Sequence, residues 1–401
     1  MPPSAADLRV GVIGLGARGY LADHAHRPGR GARVVAVADT ATERLAGIDT
    51  RFPGAHSYAS YRELLAAERL DAVIVMAPDH LHLEIALATL AAGAATYLEK
   101  PMSIDVEGCD AILRAAMETG TRLYVGHNMR HMPVVATMRD LVRDGAVGEV
   151  KAVWCRHFVG HGGDFYFKDW MSERRYVTGL LLQKGAHDLD VIHWLTGAST
   201  TRVSALGSSS LYGQVAAAAA DTPYAPPAIR TETTTWPPTA QTGLNPALDV
   251  EDLSMMMMEL DGGQVLASYQ QCHFTPDYWR NYTVIGTEGR IENFGDTEGA
   301  VIRLWNSRHD YAPAGDREYV VATREGTHGG ADATIMAEFL EFARTGGATL
   351  TSPVAARQAV AAASLATASL RDGGRPRDVP PVDARVAAYF AAGQRHEPEG
   401  S

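Results

Sequence analysis

The feature that most restricts the fold lies near the start, where an apolar run, Arg9–Ile13, passes directly into Gly14-Leu15-Gly16-Ala17-Arg18-Gly19. A β-branched run, a GxGxxG loop and a helical pattern in that order predict strand, tight turn and helix. Gly14 permits the turn, Gly16 lets a pyrophosphate approach the backbone, and Gly19 allows the helix to pack closely on the sheet. The helix start, with Ala17 and Arg18 in the loop, offers N–H groups and partial positive charge to phosphates. A second strand, Arg33–Ala38, ends in Asp39. A carboxylate there accepts from the adenosine ribose hydroxyls and repels a 2′-phosphate. Thr40 follows it rather than an arginine, so NAD is expected, with NADP as the alternative because Arg44 stands one turn on. Without a nucleotide the same string would be an ordinary glycine turn.

The alternation continues. Strands are expected at Ala72–Met76, Ala94–Leu98 and Leu123–Val125, and helices near Gly19–His26, Thr42–Arg51, Tyr61–Glu68, His82–Ala92 and Val106–Thr119. Apolar strands separated by amphipathic helices imply a parallel sheet covered on both faces. After Met132 the pattern changes to one helix (Val134–Asp144), a strand (Glu149–Val159), a helix around Gly185–Leu195, and then strands through Val301–Trp305. Asp261-Gly262-Gly263 and Thr287-Glu288-Gly289 supply the glycines of hairpin turns. The fold class is therefore α/β: an N-terminal Rossmann domain (residues 1–127) followed by an α+β domain (128–401) with a large, mostly antiparallel open sheet. Residues 208–250, with an alanine run, six prolines and a threonine-rich patch, form an insertion within it. Alternation places two of Met255–Met258 on each face, which suits core packing rather than a metal box.

Composition narrows the partners. The formal net charge is -11, and no basic stripe is present, so nucleic acid is not expected. Neither a bilayer-spanning apolar stretch nor a signal peptide is found. Cys109, Cys155 and Cys272 are widely spaced, which fits a reducing cytoplasm and no metal site.

Two stretches carry candidate chemistry. Glu99-Lys100-Pro101 ends a sheet strand, where open α/β sheets bind ligands, and Lys100 there can meet a substrate hydroxyl; the bland alternative is a solvated lysine. In the run Gly179–Asp190, Gln183 and His187 share a helix face, and Lys184 adds to the polar cluster. Histidine suits the proton transfer that accompanies oxidation of a secondary alcohol. Asp188 or Asp190 is a candidate to orient its ring, and the alternative is a hydrogen-bonded core histidine.

Taken together, the glycine loop, Pro78-Asp79-His80-Leu81-His82, Glu99-Lys100-Pro101, Gly126-His127-Asn128-Met129-Arg130 and the block His187–Leu195 resemble the Gfo/Idh/MocA family (glucose–fructose oxidoreductase, inositol dehydrogenase and relatives) over nearly the whole chain. The resemblance implies an NAD-dependent oxidoreductase acting on CH–OH in a sugar or cyclitol ring. Lys100 would touch the reacting hydroxyl and the nicotinamide, and His187 would be the acid/base. The cofactor set is Gly14, Gly16, Ala17, Arg18, Gly19, Asp39, Thr40, Pro78, Asp79, His82, Glu99 and Lys100, although Asp79 and His82 equally suit a turn and helix cap. Family members often carry Asp four residues before this histidine. Here Gln183 cannot take a proton, so the relay falls to Lys100 and His187, with Gln183 holding a hydroxyl. Substrate contacts are expected from Asn128, Arg130, Trp170, Arg174, Lys184 and His187; surface ion pairs for the arginines and core packing for Trp170 are the alternatives. His328–Asp332 either closes over substrate or starts a helix with Asp332 as its cap. A homodimer or homotetramer through the open sheet face is implied. Two other activities stay open: a redox-neutral glycoside hydrolase that retains NAD, and a non-catalytic dinucleotide sensor.

Overall fold

Five short apolar runs and one three-residue strand of mixed polarity pair as one parallel sheet. The computed structural model describes residues 6–218, 224, 235–322 and 327–395; the proline- and threonine-rich stretch at 225–234 and the expected fraying from His396 onward fall outside them. The chain divides into two compact units, one comprising Met1–Asn128, Ala331–Arg357 and Val382–Ser401, the other Met129–Gly330 and Gln358–Pro381.

In the first unit the strands are β1 (Leu8–Ile13), β2 (Ala32–Ala38), β3 (His56–Tyr58), β4 (Ala72–Val75), β5 (Ala95–Leu98) and β6 (Leu123–Val125). Their order is β3-β2-β1-β4-β5-β6, and every pairing is parallel. All residues of β4 and β5 are buried, so these strands show no alternation; both faces lie against helices. Parallel pairing also brings the carboxyl ends of β1, β2, β4 and β5 to one edge, with Gly14, Asp39, Pro78 and Glu99 just beyond them. β3 escapes sequence reading because three residues of mixed polarity carry no period. The helix after the glycine loop is shorter than expected, Leu21–Ala25. The one expected over Thr42–Arg51 breaks at Gly47, whose φ is +77°.

The sequence boundary at 127/128 does not leave the rest of the chain as one block. The helix Ala331–Thr345 buries Ile335, Met336, Phe339, Leu340 and Phe342 in the same core as β1, β2, β4 and β5. That a helix starts near Asp332 was legible; which sheet it covers was not. Phe339 sits with its ring 5.4 Å from Tyr97 and 5.8 Å from Tyr124.

The second unit is built on nine strands: β7 (Val150–Phe158), β8 (Thr200–Ser208), β9 (Leu253–Leu260), β10 (Val265–Cys272), β11 (Trp279–Gly286), β12 (Arg290–Phe294), β13 (Val301–Trp305), β14 (Arg317–Val320) and β15 (Arg377–Asp378). Their order is β14-β13-β12-β11-β7-β10-β9-β8-β15. Pairing is antiparallel except between β7 and β10. The helix Gly185–Thr196, closed by Gly197 in the left-handed region, packs on β7 and β10. Along β9 the methionines divide by face as alternation requires: Met256 and Met258 are 2% exposed, Met255 51% and Met257 68%. The start of the 208–250 insertion is anchored. Asp252 accepts from the backbone N–H groups of Ser210, Leu211 and Tyr212 at 2.8, 2.8 and 2.7 Å, and the Tyr212 ring lies 4.6 Å from Phe167.

Phe339→Ala is expected to destabilise the first unit by about 3–5 kcal/mol through transfer and cavity terms, read as a lower urea midpoint at unchanged slope. A loss below about 1 kcal/mol would place this helix outside the core.

Candidate active site

The carboxyl edge of the parallel sheet gathers the residues expected to hold a dinucleotide. Gly14 has φ +91°, and a Cβ there would meet the Met76 carbonyl carbon at 2.7 Å. At Gly19 a Cβ would meet the Leu15 backbone at 2.9 Å, whereas at Gly16 nothing lies within 4 Å. Two glycines are thus demanded by backbone and packing, and the third leaves an open approach to the backbone, which fits a pyrophosphate. The helix that follows has only five residues, so it brings no long dipole to this approach. Asp39 is 7% exposed. Its Oδ2 accepts from Leu15 N–H at 2.7 Å and its Oδ1 from Ala41 N–H at 2.8 Å, which staples the end of β2 to the loop. Arg44 stands 3.6 Å from Asp39 Oδ1, and Thr40 is exposed.

Pro78 and Asp79 open a short turn after β4, and His82 starts the following helix. The His82 ring stitches two strand-end loops, with Nδ1 2.6 Å from the Pro101 carbonyl and Nε2 2.9 Å from that of Ala77. Only a protonated ring donates to both. Burial nevertheless pulls its pKa down, against the opposing effect of the two carbonyls. Glu99 accepts the Lys100 backbone N–H on Oε2 at 3.0 Å and Arg18 Nε on Oε1 at 3.1 Å. Lys100 is half-buried. Arg18 also forks onto Asp332, at 3.1 Å and 3.0 Å, and Asn128 donates to Asp332 at 2.7 Å.

In the second unit, Gln183 and His187 are 8% and 7% exposed, and the His187 ring lies 6.3 Å from that of His328. Asp188 turns to the sheet. It accepts from His157 Nδ1 at 2.9 Å, from Tyr269 OH at 3.0 Å and from the Tyr282 hydroxyl, with Arg280 Nε at 3.1 Å. Burial alone would raise its pKa, but Arg280 and His157 hold it well below the usual carboxylate range. Burial, followed by the charge of Arg280, pulls His157 down to about 3. The ring is therefore neutral; Nδ1–H faces Asp188, and Nε2 is left an acceptor. Asp190 carries a bidentate pair with Arg130, at 2.8 and 2.7 Å.

These placements redistribute the expected substrate contacts. The Arg130 guanidinium is engaged by Asp190, and that of Arg174 by Glu251 at 2.9 Å. Asn128 is 1% exposed and turned to Asp332. Trp170 packs against the apolar cluster that includes Tyr166, Phe167 and Leu180. Asp188 makes no bond to His187, so it does not orient that ring. Lys184 keeps part of its surface accessible, with Nζ 5.7 Å from the Tyr166 ring centre. Burial and the positive charge of Arg280 lower its pKa to about 7, against the attraction of Asp188 and Asp296.

Sequence reading missed a polar layer on the covered face of the sheet. His157, Gln271 and Ser254 are paired across β7, β10 and β9, and His273 follows β10. Ser254 Oγ, Gln271 Nε2, His157 Nε2 and both ring nitrogens of His273 have no hydrogen-bond partner among the described residues. The signal was available: His157 lies in phase with Cys155, and Gln271 with Tyr269, at core-facing positions of period two. Among the described residues no group of His, Cys, Asp and Glu side chains is arranged to hold a metal ion, and no helix is long and apolar enough to cross a membrane.

A parallel sheet whose first turn is a glycine loop stapled to an acidic strand end defines a dinucleotide-binding α/β unit. Comparison with known proteins agrees. Residues 8–127 match the model described as oxidoreductase family, NAD-binding Rossmann fold, and residues 135–292 match the GFO/IDH/MocA C-terminal domain. YteT of Bacillus subtilis (strain 168), described as an oxidoreductase, is 24% identical over 352 residues, covering 76% of this chain and 81% of YteT. An inositol 2-dehydrogenase of Pseudomonas savastanoi pv. phaseolicola is 33% identical over 193 residues, covering 47% of this chain and 54% of that enzyme. The matched part thus spans about half the length of the inositol dehydrogenases it resembles. A levoglucosan dehydrogenase solved with NADH and L-sorbose superposes with a TM-score of 0.76 at 20% identity, covering 94% of this chain and 100% of that one, a likeness of fold. The chain belongs to the Gfo/Idh/MocA family of NAD-binding oxidoreductases.

The depressed Lys184 pKa has a consequence for stability. Between about pH 7 and the ordinary lysine value of 10.5, the unfolded chain holds a proton that the folded chain has released. Stability should therefore rise with pH across that window and reach its lowest contribution below it. Lys184→Met should remove that part of the slope in urea melts run from pH 7 to 10. Equal slopes in the two proteins would refute the assignment.

Proposed function

We propose that the chain transfers a hydride between nicotinamide and a ring hydroxyl or ketone of a sugar or cyclitol. The observation that carries this reading is the convergence of the glycine loop, Asp39 and Lys100 on the carboxyl edge of one parallel sheet. NAD, when bound, supplies the hydride acceptor or donor. The glycine loop would hold its phosphates, and Asp39 would accept from the ribose hydroxyls while its charge repels a 2′-phosphate. NADP is disfavoured by Asp39 and partly readmitted by Arg44.

Lys100 meets the reacting oxygen and stabilises the charge that develops there as the proton leaves. His187 takes or returns that proton, since imidazole is matched to neutral pH. Gln183 holds a neighbouring hydroxyl without titrating. Of the proposed substrate donors, Lys184 has Nζ over the Tyr166 ring face, whereas Asn128, Arg130 and Arg174 are engaged by Asp332, Asp190 and Glu251. The cyclitol and sugar dehydrogenases among the relatives support a polyhydroxylated ring as substrate. Three free thiols suit a reducing compartment, which we take to be the cytoplasm.

The test is absorbance at the reduced-nicotinamide band with NAD or NADP and a panel of inositols and free or anhydro sugars. Lys100→Ala and His187→Ala should each lower kcat at least about a hundredfold, the usual contribution of a positioned acid or base. A variant with full turnover would remove that residue from the relay.

The assembly proposed is a homodimer or homotetramer through the open sheet face. Trp154, Met257 and Leu266 stand on that face at 54%, 68% and 58% exposure, an apolar patch of the kind that marks an interface. Met257→Asp with Leu266→Asp should shift the mass by light scattering to the monomer; an unchanged mass would send the interface elsewhere.

A further inference from the structure

Arg18 occupies the fifth position of the glycine loop, where a guanidinium turned to a pyrophosphate would be the first reading. Its hydrogen bonds run elsewhere. Nε donates to Glu99 Oε1 at 3.1 Å, and the two terminal nitrogens fork onto Asp332 at 3.1 and 3.0 Å. The Tyr20 hydroxyl closes the group by donating to Asp332 at 2.8 Å. Glu99 is 4% and Asp332 1% exposed, so one guanidinium serves two buried carboxylates. A phosphate brought to the same fork would have to displace one of them.

The second oxygen of Glu99 has its own task. β5 ends at Leu98, the chain leaves the ladder, and the Lys100 N–H is held by Glu99 Oε2 at 3.0 Å. Among the described residues, the other side-chain donor to this carboxylate is Tyr97, at 3.4 Å, too long to hold it firmly.

We propose that Arg18 is a positioning residue for Lys100: by fixing one oxygen of Glu99 it sets the carboxylate whose other oxygen holds the Lys100 backbone. The inference rests on the reading that Lys100 meets the reacting oxygen. Arginine is required because a planar fork engages two carboxylates from different sides, which a lysine ammonium on a flexible stem does not reproduce. A buried carboxylate deprived of that cation is driven to protonate or to turn toward water, and either change releases the Lys100 backbone.

The test uses the full chain as wild type, Arg18→Lys, Glu99→Gln, their double variant and Lys100→Ala. The first readout needs no turnover: the rate at which Lys100 is reductively methylated, relative to the other lysines, measured by mass spectrometry. The second is the dissociation constant of NADH by fluorescence, and the third is kcat and KM in the assay above. Arg18→Lys and Glu99→Gln should each change relative Lys100 labelling at least threefold and lower kcat tenfold or more. NADH binding and KM for NAD should stay within threefold. The double variant should be no worse than the worse single, because both act through one chain of bonds. Unchanged Lys100 labelling in both singles overturns the proposal. So does a tenfold weaker NADH complex with unchanged labelling, which would make Arg18 a phosphate ligand. Should Arg18→Lys not fold, Glu99→Gln decides by the same labelling. Full activity in Lys100→Ala would defeat the underlying reading of Lys100, an outcome separate from either result above.

Discussion

Parallel pairing of β1 with β2 and β4 is the constraint on which the candidate chemistry depends. Parallel neighbours must be joined by crossovers, so every strand of the sheet points the same way and the carboxyl ends form one edge. The glycine loop, the Asp39 turn and the Glu99–Lys100 pair meet because their strands are neighbours, not because they are close in sequence. Asp39 reinforces this by accepting the Leu15 N–H, so the acidic end of β2 and the glycine loop are held as one piece. Any change that shifted the register of β1 would move all three together.

Buried charge is the second organising force, and each unit has an arginine shared between two buried carboxylates. Arg18 stands between Glu99 and Asp332; Arg280 stands between Asp188 and Asp296. Uncompensated charge in such surroundings costs several kcal/mol, so these clusters hold their elements in specific arrangements rather than adding much net stability. Asp188 draws donors from β7, β10 and β11 onto the helix that carries His187, which fixes that helix's rotation on the sheet. Gln183 and His187, on another face of the same run, are thereby presented together.

Much of the site was legible because its residues sit where strands stop. A GxGxxG loop after a strand, an acidic residue ending the next strand and a lysine ending another are local signals with local causes. The roles of the arginines were not legible. Arg18, Arg130 and Arg174 all read as donors for a ligand, and each is engaged by a carboxylate far away in sequence: Asp332, Asp190 and Glu251. Charge sign is written in the sequence, but partner choice depends on which side chains the fold makes neighbours. The same holds for His157, whose period-two phase marked it as inward-facing without naming Asp188.

By itself the sequence determined most of the order of elements, the parallel and antiparallel halves, the division of the four consecutive methionines between two faces, and the glycine loop at the first turn. These follow from backbone periodicity and from where glycine alone fits, both of which are local properties. Tertiary structure decided that the helix Ala331–Thr345 returns to the core of the first unit, and that a guanidinium in the glycine loop serves carboxylates rather than facing outward. It also placed a layer of polar groups beneath the helix that carries His187. Each of these turns on contacts between residues tens to hundreds of positions apart, and such contacts are selected by packing and by compensation of buried charge, which no local pattern encodes.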